Sequence, residues 1–237
     1  MTGALTIIPV SGIGEIHRGD EVAELIADAA RAQRTPLADA DCLVVTQKIV
    51  SKAEGRLVPL DPLDRDARRE LVESESVRIV RVRGDLIISE TAHGFVCANA
   101  GVDLSNVESG YAALLPVDAD RSAKHVRDAL HARAGVDVAV IVSDTFGRPW
   151  RQGLTDVAIG VCGITAVVDL RGAADALGRE LMVTEVAIAD EIASAAELVM
   201  GKSANVPAAI VRGLDSAWFG DGSVRQLVRP PQDDLFR

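Results

Sequence analysis

Asp144 and Thr145 follow Ser143, where the apolar run 138–142 stops, and Arg148 and Arg151 come shortly after among Gly147, Pro149 and Gly153. Two hard oxygen donors where a buried strand hands over to a loop suit a divalent cation. Planar guanidinium forks suit a phosphate or a carboxylate. A second stretch repeats the pattern: the short run 94–97 leads into Asn99, Gly101, Asp103, Ser105 and Asn106. One Asp in such a loop is ordinarily an Asx-turn residue. A Mg2+ or Mn2+ ion that bridges substrate phosphates, however, needs only one or two protein carboxylates. Asp103 and Asp144 meet that need if their strands are neighbours. In a third stretch Gln47, Lys48, Ser51 and Lys52 follow the apolar run 42–46. They offer ammonium, amide and hydroxyl groups to a phosphate chain, and they suit a solvated helix start equally well.

Together these residues describe a site type, metal-dependent chemistry on a phosphorylated ligand, and leave hydrolysis, phosphoryl transfer and ligation open. His17, His93, His125 and His131 are dispersed, the last two on a surface helix, and no Ser/His/Asp order is present. The loop 11–20 is punctuated by glycine but is neither a GxGxxG fingerprint nor a P-loop, and reads as an ordinary strand-to-helix turn with Asp20 as the helix N-cap.

The elements that must position these residues are legible as periodicity. Strands are expected over 5–10, 42–46, 77–82, 86–88, 94–97, 138–142 and 208–211, with further apolar segments at 111–116, 156–160 and 164–168. Helices are expected after Asp20, over 64–76, over 118–134 with Gly135 as its stop, and over 183–200 with Gly201 as its cap. With 237 residues, 48% hydrophobic and 25% charged, the chain can bury a substantial core. Aromatics are only 3%, so that core is aliphatic. The net charge of −10 argues against general nucleic-acid or anionic-membrane binding. Cys42, Cys97 and Cys162 lack zinc-ligand spacing and read as buried thiols in a reducing compartment. No signal-like or membrane-spanning run is present, so a cytoplasmic protein is expected.

The set Gly12-Ile-Gly-Glu-Ile16, Val45-Thr-Gln-Lys-Ile-Val-Ser-Lys-Ala-Glu-Gly55, Asn99-Ala-Gly-Val-Asp-Leu-Ser-Asn-Val107, Ser143-Asp-Thr-Phe-Gly-Arg-Pro-Trp-Arg-Gln-Gly153 and residues 184–193 resembles the coenzyme F420 gamma-glutamyl ligase family. The motifs stand in the family's order and cover nearly the whole chain. The resemblance implies a GTP-dependent ligase that adds L-glutamate to a deazaflavin coenzyme F420 precursor through an acyl phosphate and extends a gamma-linked tail. It implies an α+β fold, with one domain over residues 1–237 built of two interleaved subdomains, no C-terminal nitroreductase-like domain, and an intertwined homodimer. It also implies two divalent ions, Mg2+ or Mn2+, and K+.

Carried over by position, Asp103 and Asp144 look like metal ligands, with Thr145 beside the second metal. Ile13, Gly14, Glu15, Ile16, Gln47, Lys48, Lys52 and Asn106 look like GTP contacts, as do Met200, Gly201, Lys202, Ser203, Ala204, Asn205 and Val206. Lys52, Arg148 and Arg151 are the candidate catalytic residues. Lys52 would neutralise the transferring phosphoryl group, and the arginines would meet the acyl phosphate or an incoming carboxylate. One departure stands out. Archaeal members carry a Glu that helps to bind metal where this chain has Lys202. A GTP-binding regulatory protein or a metal-dependent phosphohydrolase would use the same pocket.

Overall fold

A computed structural model describes residues 3–235; the ends of the expected domain, Met1 and Arg237, lie outside the described residues. In chain order the elements are β1 (Thr6–Val10), α1 (Val22–Ala32), β2 (Cys42–Thr46), α2 (Gln47–Ala53), β3 (Leu57–Pro59), α3 (Arg65–Ser74), β4 (Ser76–Arg83), β5 (Leu86–Thr91), β6 (Val96–Ala98), β7 (Tyr111–Ala113), α4 (Ala119–Ala134), β8 (Ala139–Gly147), β9 (Leu154–Cys162), β10 (Val168–Asp169), β11 (Glu185–Val186), α5 (Ile188–Met200) and β12 (Ala208–Arg212). The fold is α+β, as expected.

The main sheet has the order β1-β12-β2-β8-β9. Only β2 and β8 run parallel; the other neighbours are antiparallel. Both faces of this sheet are covered, which is why its central strands read as unbroken apolar runs. Side chains alternate across the pleat. Leu43, Val45, Val140 and Val142 enter one core with Ile26 of α1 and Val126 and Leu130 of α4. Cys42, Val44, Ala139 and Ile141 enter a second core with Ile192, Ala196 and Met200 of α5. A third, smaller core gathers Leu60, Val72, Ile87, Val102, Ala112 and Leu114 from the segment between α2 and α4. β3 pairs with β7, and β4, β5 and β6 form a three-stranded sheet.

Local chemistry accounts for α4. The Asp118 side chain accepts from the Arg121 N–H at 3.0 Å and caps its start, and Gly135 ends it at φ 68°. At Gly160 in β9 the backbone must lack a side chain, because a Cβ there would lie 2.2 Å from the Ala119 carbonyl oxygen. This close approach seats α4 directly on the sheet.

Two helix expectations are corrected. Asp20 does not cap α1; its carboxylate accepts from the His17 N–H at 2.7 Å, and the helix begins at Val22 behind Glu21. The segment 183–187 is not helical, because Glu185 and Val186 pair antiparallel with Asp169 and Val168, so α5 starts at Ile188.

Candidate functional site

In the parallel pair, Thr46 lies opposite Ser143, so β2 and β8 deliver their C-terminal ends to the same edge of the sheet. After β2 the chain turns at once into α2. β8 does not stop at Ser143 as the apolar run suggests. A bulge between Val142 and Ser143 re-aims the strand, which runs on to Gly147 with Asp144 opposite Val157 and Thr145 opposite Asp156. Polar side chains on that extension are the reason periodicity misses it.

Gln47 is buried, and its amide donates to Ser51 Oγ at 2.6 Å and to the Leu114 carbonyl at 2.9 Å. Ser51 Oγ donates to the same carbonyl at 2.6 Å. These bonds tie α2 to the segment just after β7. Ala113, the last residue of β7, in turn exchanges backbone hydrogen bonds of 2.8 and 2.9 Å with Asp103. Asp103 is thereby brought under α2, where Lys48 Nζ lies 2.7 Å from its Oδ2 and donates to Ser105 Oγ at 2.9 Å. Ser105 closes an Asx turn, its N–H donating to Asp103 Oδ1 at 2.7 Å. The Asx turn is thus present, and the same carboxylate also faces Lys48.

Burial pushes the Asp103 carboxyl up, but the Lys48 ammonium and the Ser105 donors outweigh it and hold the group below its ordinary value. Asp144 behaves oppositely. Burial drives it up to about 7; the Thr145 N–H opposes this, the nearby charges of Asp103 and Asp156 add to it, and Lys48 relieves it in part. An accumulation of carboxylate charge at the end of two strands is a setting for a cation. Among the described residues no group of three or more His, Cys, Asp and Glu side chains is arranged to hold a metal by itself. Asp103 and Asp144 supply two carboxylates, a set suited to an ion that takes its remaining ligands from phosphate and water.

Asp156, near the start of β9, is 1% exposed. It accepts from Thr145 Oγ1 at 2.6 Å and from Ser143 Oγ at 3.2 Å, and Lys202 Nζ lies 2.7 Å from its Oδ1. Sequence reading passes over this residue as part of a small apolar strand. The signal available is a carboxylate leading a buried run with no turn residue beside it. Lys202 also reaches Glu197 of α5 at 3.0 Å and bonds to the Thr145 hydroxyl, and Asn106 Nδ2 donates to the Lys202 carbonyl at 3.3 Å. The segments bearing Asn106, Thr145 and Lys202 thus meet.

Lys52 is buried and ion-paired with Glu15, an exposed residue of the loop before α1. Ile13 and Ile16 of that loop pack into the first core, while Gly14 is exposed. Met200 is fully buried; Gly201, Ser203, Ala204 and Asn205 are exposed, and Val206 is half-buried. The arginines stand apart. Arg148 and Arg151 lie on the exposed β8–β9 turn, where Arg148 Nη2 donates to the Gln152 carbonyl at 3.0 Å. Among the described residues, the hydrogen bonds and ion pairs put neither guanidinium against Asp103 or Asp144.

Comparison with known proteins identifies relatives along nearly the whole chain. The family model described as F420-0:Gamma-glutamyl ligase matches residues 12–213. The chain is 43% identical to the coenzyme F420:L-glutamate ligase of Methanothermobacter thermautotrophicus, over 98% of this chain and 99% of the relative. It is 44% identical to the enzyme of the same name from Methanopyrus kandleri, over 98% of each. The one from Methanocaldococcus jannaschii is 40% identical, over 94% of this chain and 93% of the relative.

Proposed function

The chain belongs to the F420-0:gamma-glutamyl ligase family, and from that premise we propose that it joins L-glutamate to a coenzyme F420 precursor with consumption of GTP. The observation that carries this reading is the meeting of Lys48 and Asp103 with Asp144, Thr145 and Lys202 at one edge of the sheet. Such a crest concentrates fixed charge where a phosphate chain and a carboxylate have to be brought together.

In this reading the terminal carboxylate of the precursor attacks the γ-phosphorus of GTP, the bond to the β-phosphate oxygen breaks, and GDP leaves. The glutamate amine then attacks the carbonyl carbon of the acyl phosphate, gives up a proton, and displaces inorganic phosphate. Phosphoryl transfer of this kind needs little covalent help from a protein and much positioning and charge neutralisation. Lys48 and Lys52 would supply that neutralisation. Each is at least four-fifths buried and already paired with a carboxylate, Asp103 or Glu15. Both can exchange that partner for phosphate oxygens without losing their positions. Asp103 and Asp144 would hold a divalent ion, which when bound offsets the charge of the nucleotide's phosphates. Arg148 and Arg151, on the exposed hairpin turn, would meet the incoming carboxylate of glutamate. The reading includes K+ as a further ion and a homodimer as the assembled form, which sedimentation velocity tests directly.

The experiment is GDP release measured with and without each acceptor, together with mass spectrometry of the deazaflavin product. Release that requires both L-glutamate and the precursor, with the product heavier by whole glutamyl residues, is the expected result. GTP hydrolysis independent of acceptor would replace this reading with a phosphohydrolase. Tight binding without turnover would replace it with a regulatory GTP-binding protein.

A further inference from the structure

Gly201, at φ 62°, turns the chain out of α5, and the side chain of Lys202 then folds back into the site. Its ammonium is met by three oxygens: Asp156 Oδ1 at 2.7 Å, Glu197 Oε1 at 3.0 Å and the hydroxyl of Thr145. An ammonium has three N–H donors, and here each has a partner. Asp156 cannot swing away, because it is buried and its two oxygens also hold Ser143 and Thr145. Glu197 is fixed on the last turns of α5.

Three oxygens from three elements around one positive centre form a cation site, and the cation in it is part of the chain. A second divalent ion on Thr145 does not fit these residues. The threonine oxygen already donates to Asp156 and accepts from Lys202. A hard ion would also have to draw oxygens to about 2.0–2.1 Å while displacing a positive charge held by two carboxylates. We infer that Lys202 takes the second cation position, so that the chain holds one divalent ion per nucleotide, at Asp103 and Asp144, and carries the other positive charge covalently. This rests on the nucleotide-and-metal reading above and goes beyond it.

The test is equilibrium dialysis of the full chain against Mn2+ and a non-hydrolysable GTP analogue, with retained metal and nucleotide counted per chain. Wild type should retain one Mn2+, and Lys202→Glu, which removes the ammonium and adds a carboxylate, should retain two. Lys202→Gln, with melting curves as the folding control, covers the case in which the charge reversal unfolds the site. It too should admit a second Mn2+, more weakly. Two Mn2+ on wild type would overturn the inference, as would one Mn2+ on wild type and on every folded variant. Nucleotide retained with no Mn2+ would remove the Asp103–Asp144 ion and the inference together. No nucleotide retained would overturn the proposed function itself.

Discussion

Asp144→Asn should make the metal-free protein more stable at pH 8 while abolishing turnover. The Asp144 carboxyl is held at about 7 instead of its ordinary 3.8, burial being the main cause. The folded chain therefore binds this proton more tightly than the unfolded chain does. The stability this confers is fully present below pH 3.8 and is lost as the pH rises through 7. At 1.36 kcal/mol per pH unit, the whole window is worth about 4 kcal/mol. Asp144 is only partly buried, so water relieves part of the penalty, and about 2 kcal/mol is the working figure. Asparagine has the same shape and no charge to desolvate. The difference between variant and wild type should be near zero at pH 4 and open towards pH 8. There it should reach roughly 4–8 °C in Tm for a chain of this size. Thermal melts in a chelator at three pH values, followed by circular dichroism, measure it. A difference that does not grow with pH, or that favours wild type at pH 8 without metal, would refute the reasoning. Adding Mn2+ should reverse the order, since at a hundred times its Kd a ligand stabilises by about 2.7 kcal/mol and the variant has lost half its carboxylate set.

Other perturbations separate the parts of the site. Lys48→Met leaves Asp103 with only Ser105 as a donor and should lower kcat/KM by about a hundredfold or more, whereas a loss under about fivefold would remove Lys48 from the phosphate contacts. Arg148→Ala and Arg151→Ala sit on an exposed turn and should not move Tm; one or both should raise KM for L-glutamate, and unchanged kinetics in both would leave the turn without a role. Iodoacetamide at pH 8 should label Cys162 first, because burial raises the Cys97 thiol to about 12 and pushes Cys42 up as well; equal labelling of Cys97 would contradict its burial. Gly160→Ala forces a methyl against the Ala119 carbonyl and should cost about 1–3 kcal/mol in urea unfolding; an unchanged midpoint would mean that α4 is not seated where it is described.

Local chemistry decides what the sequence makes legible. α4, with its Asp118 cap and Gly135 stop, and β2, an unbroken apolar run bounded by polar residues, are declared by their own residues. The mixed sheet is not legible, because strand order is set by contacts between distant segments. Alternating strands and helices alone would suggest a doubly wound parallel sheet, yet the described residues form a single parallel pair. In the site, Asp103 and Asp144 stand out by type. What joins them is the buried Gln47–Leu114 connection, and a glutamine that spends its amide inside the protein looks in sequence like any polar residue after a strand. Asp156 is hidden for the complementary reason: its partners arrive from β8 and from the loop after α5.

β12 lies inside the main sheet, bonded to β1 on one side and β2 on the other, although it is the last strand among the described residues. During synthesis from the amino end, β1 must therefore wait without a partner and β2 with one flank open until residues 208–212 emerge. Joining strands so distant in the chain is slow, because the loop entropy is lost before the contacts repay it. The loop bearing Lys202 leaves the ribosome just ahead of that closing strand. Nascent chains arrested before Ala208 should neither retain a GTP analogue nor resist protease, while chains extended past the strand should do both. Vectorial synthesis thus keeps the charged crest unassembled until its scaffold is closed.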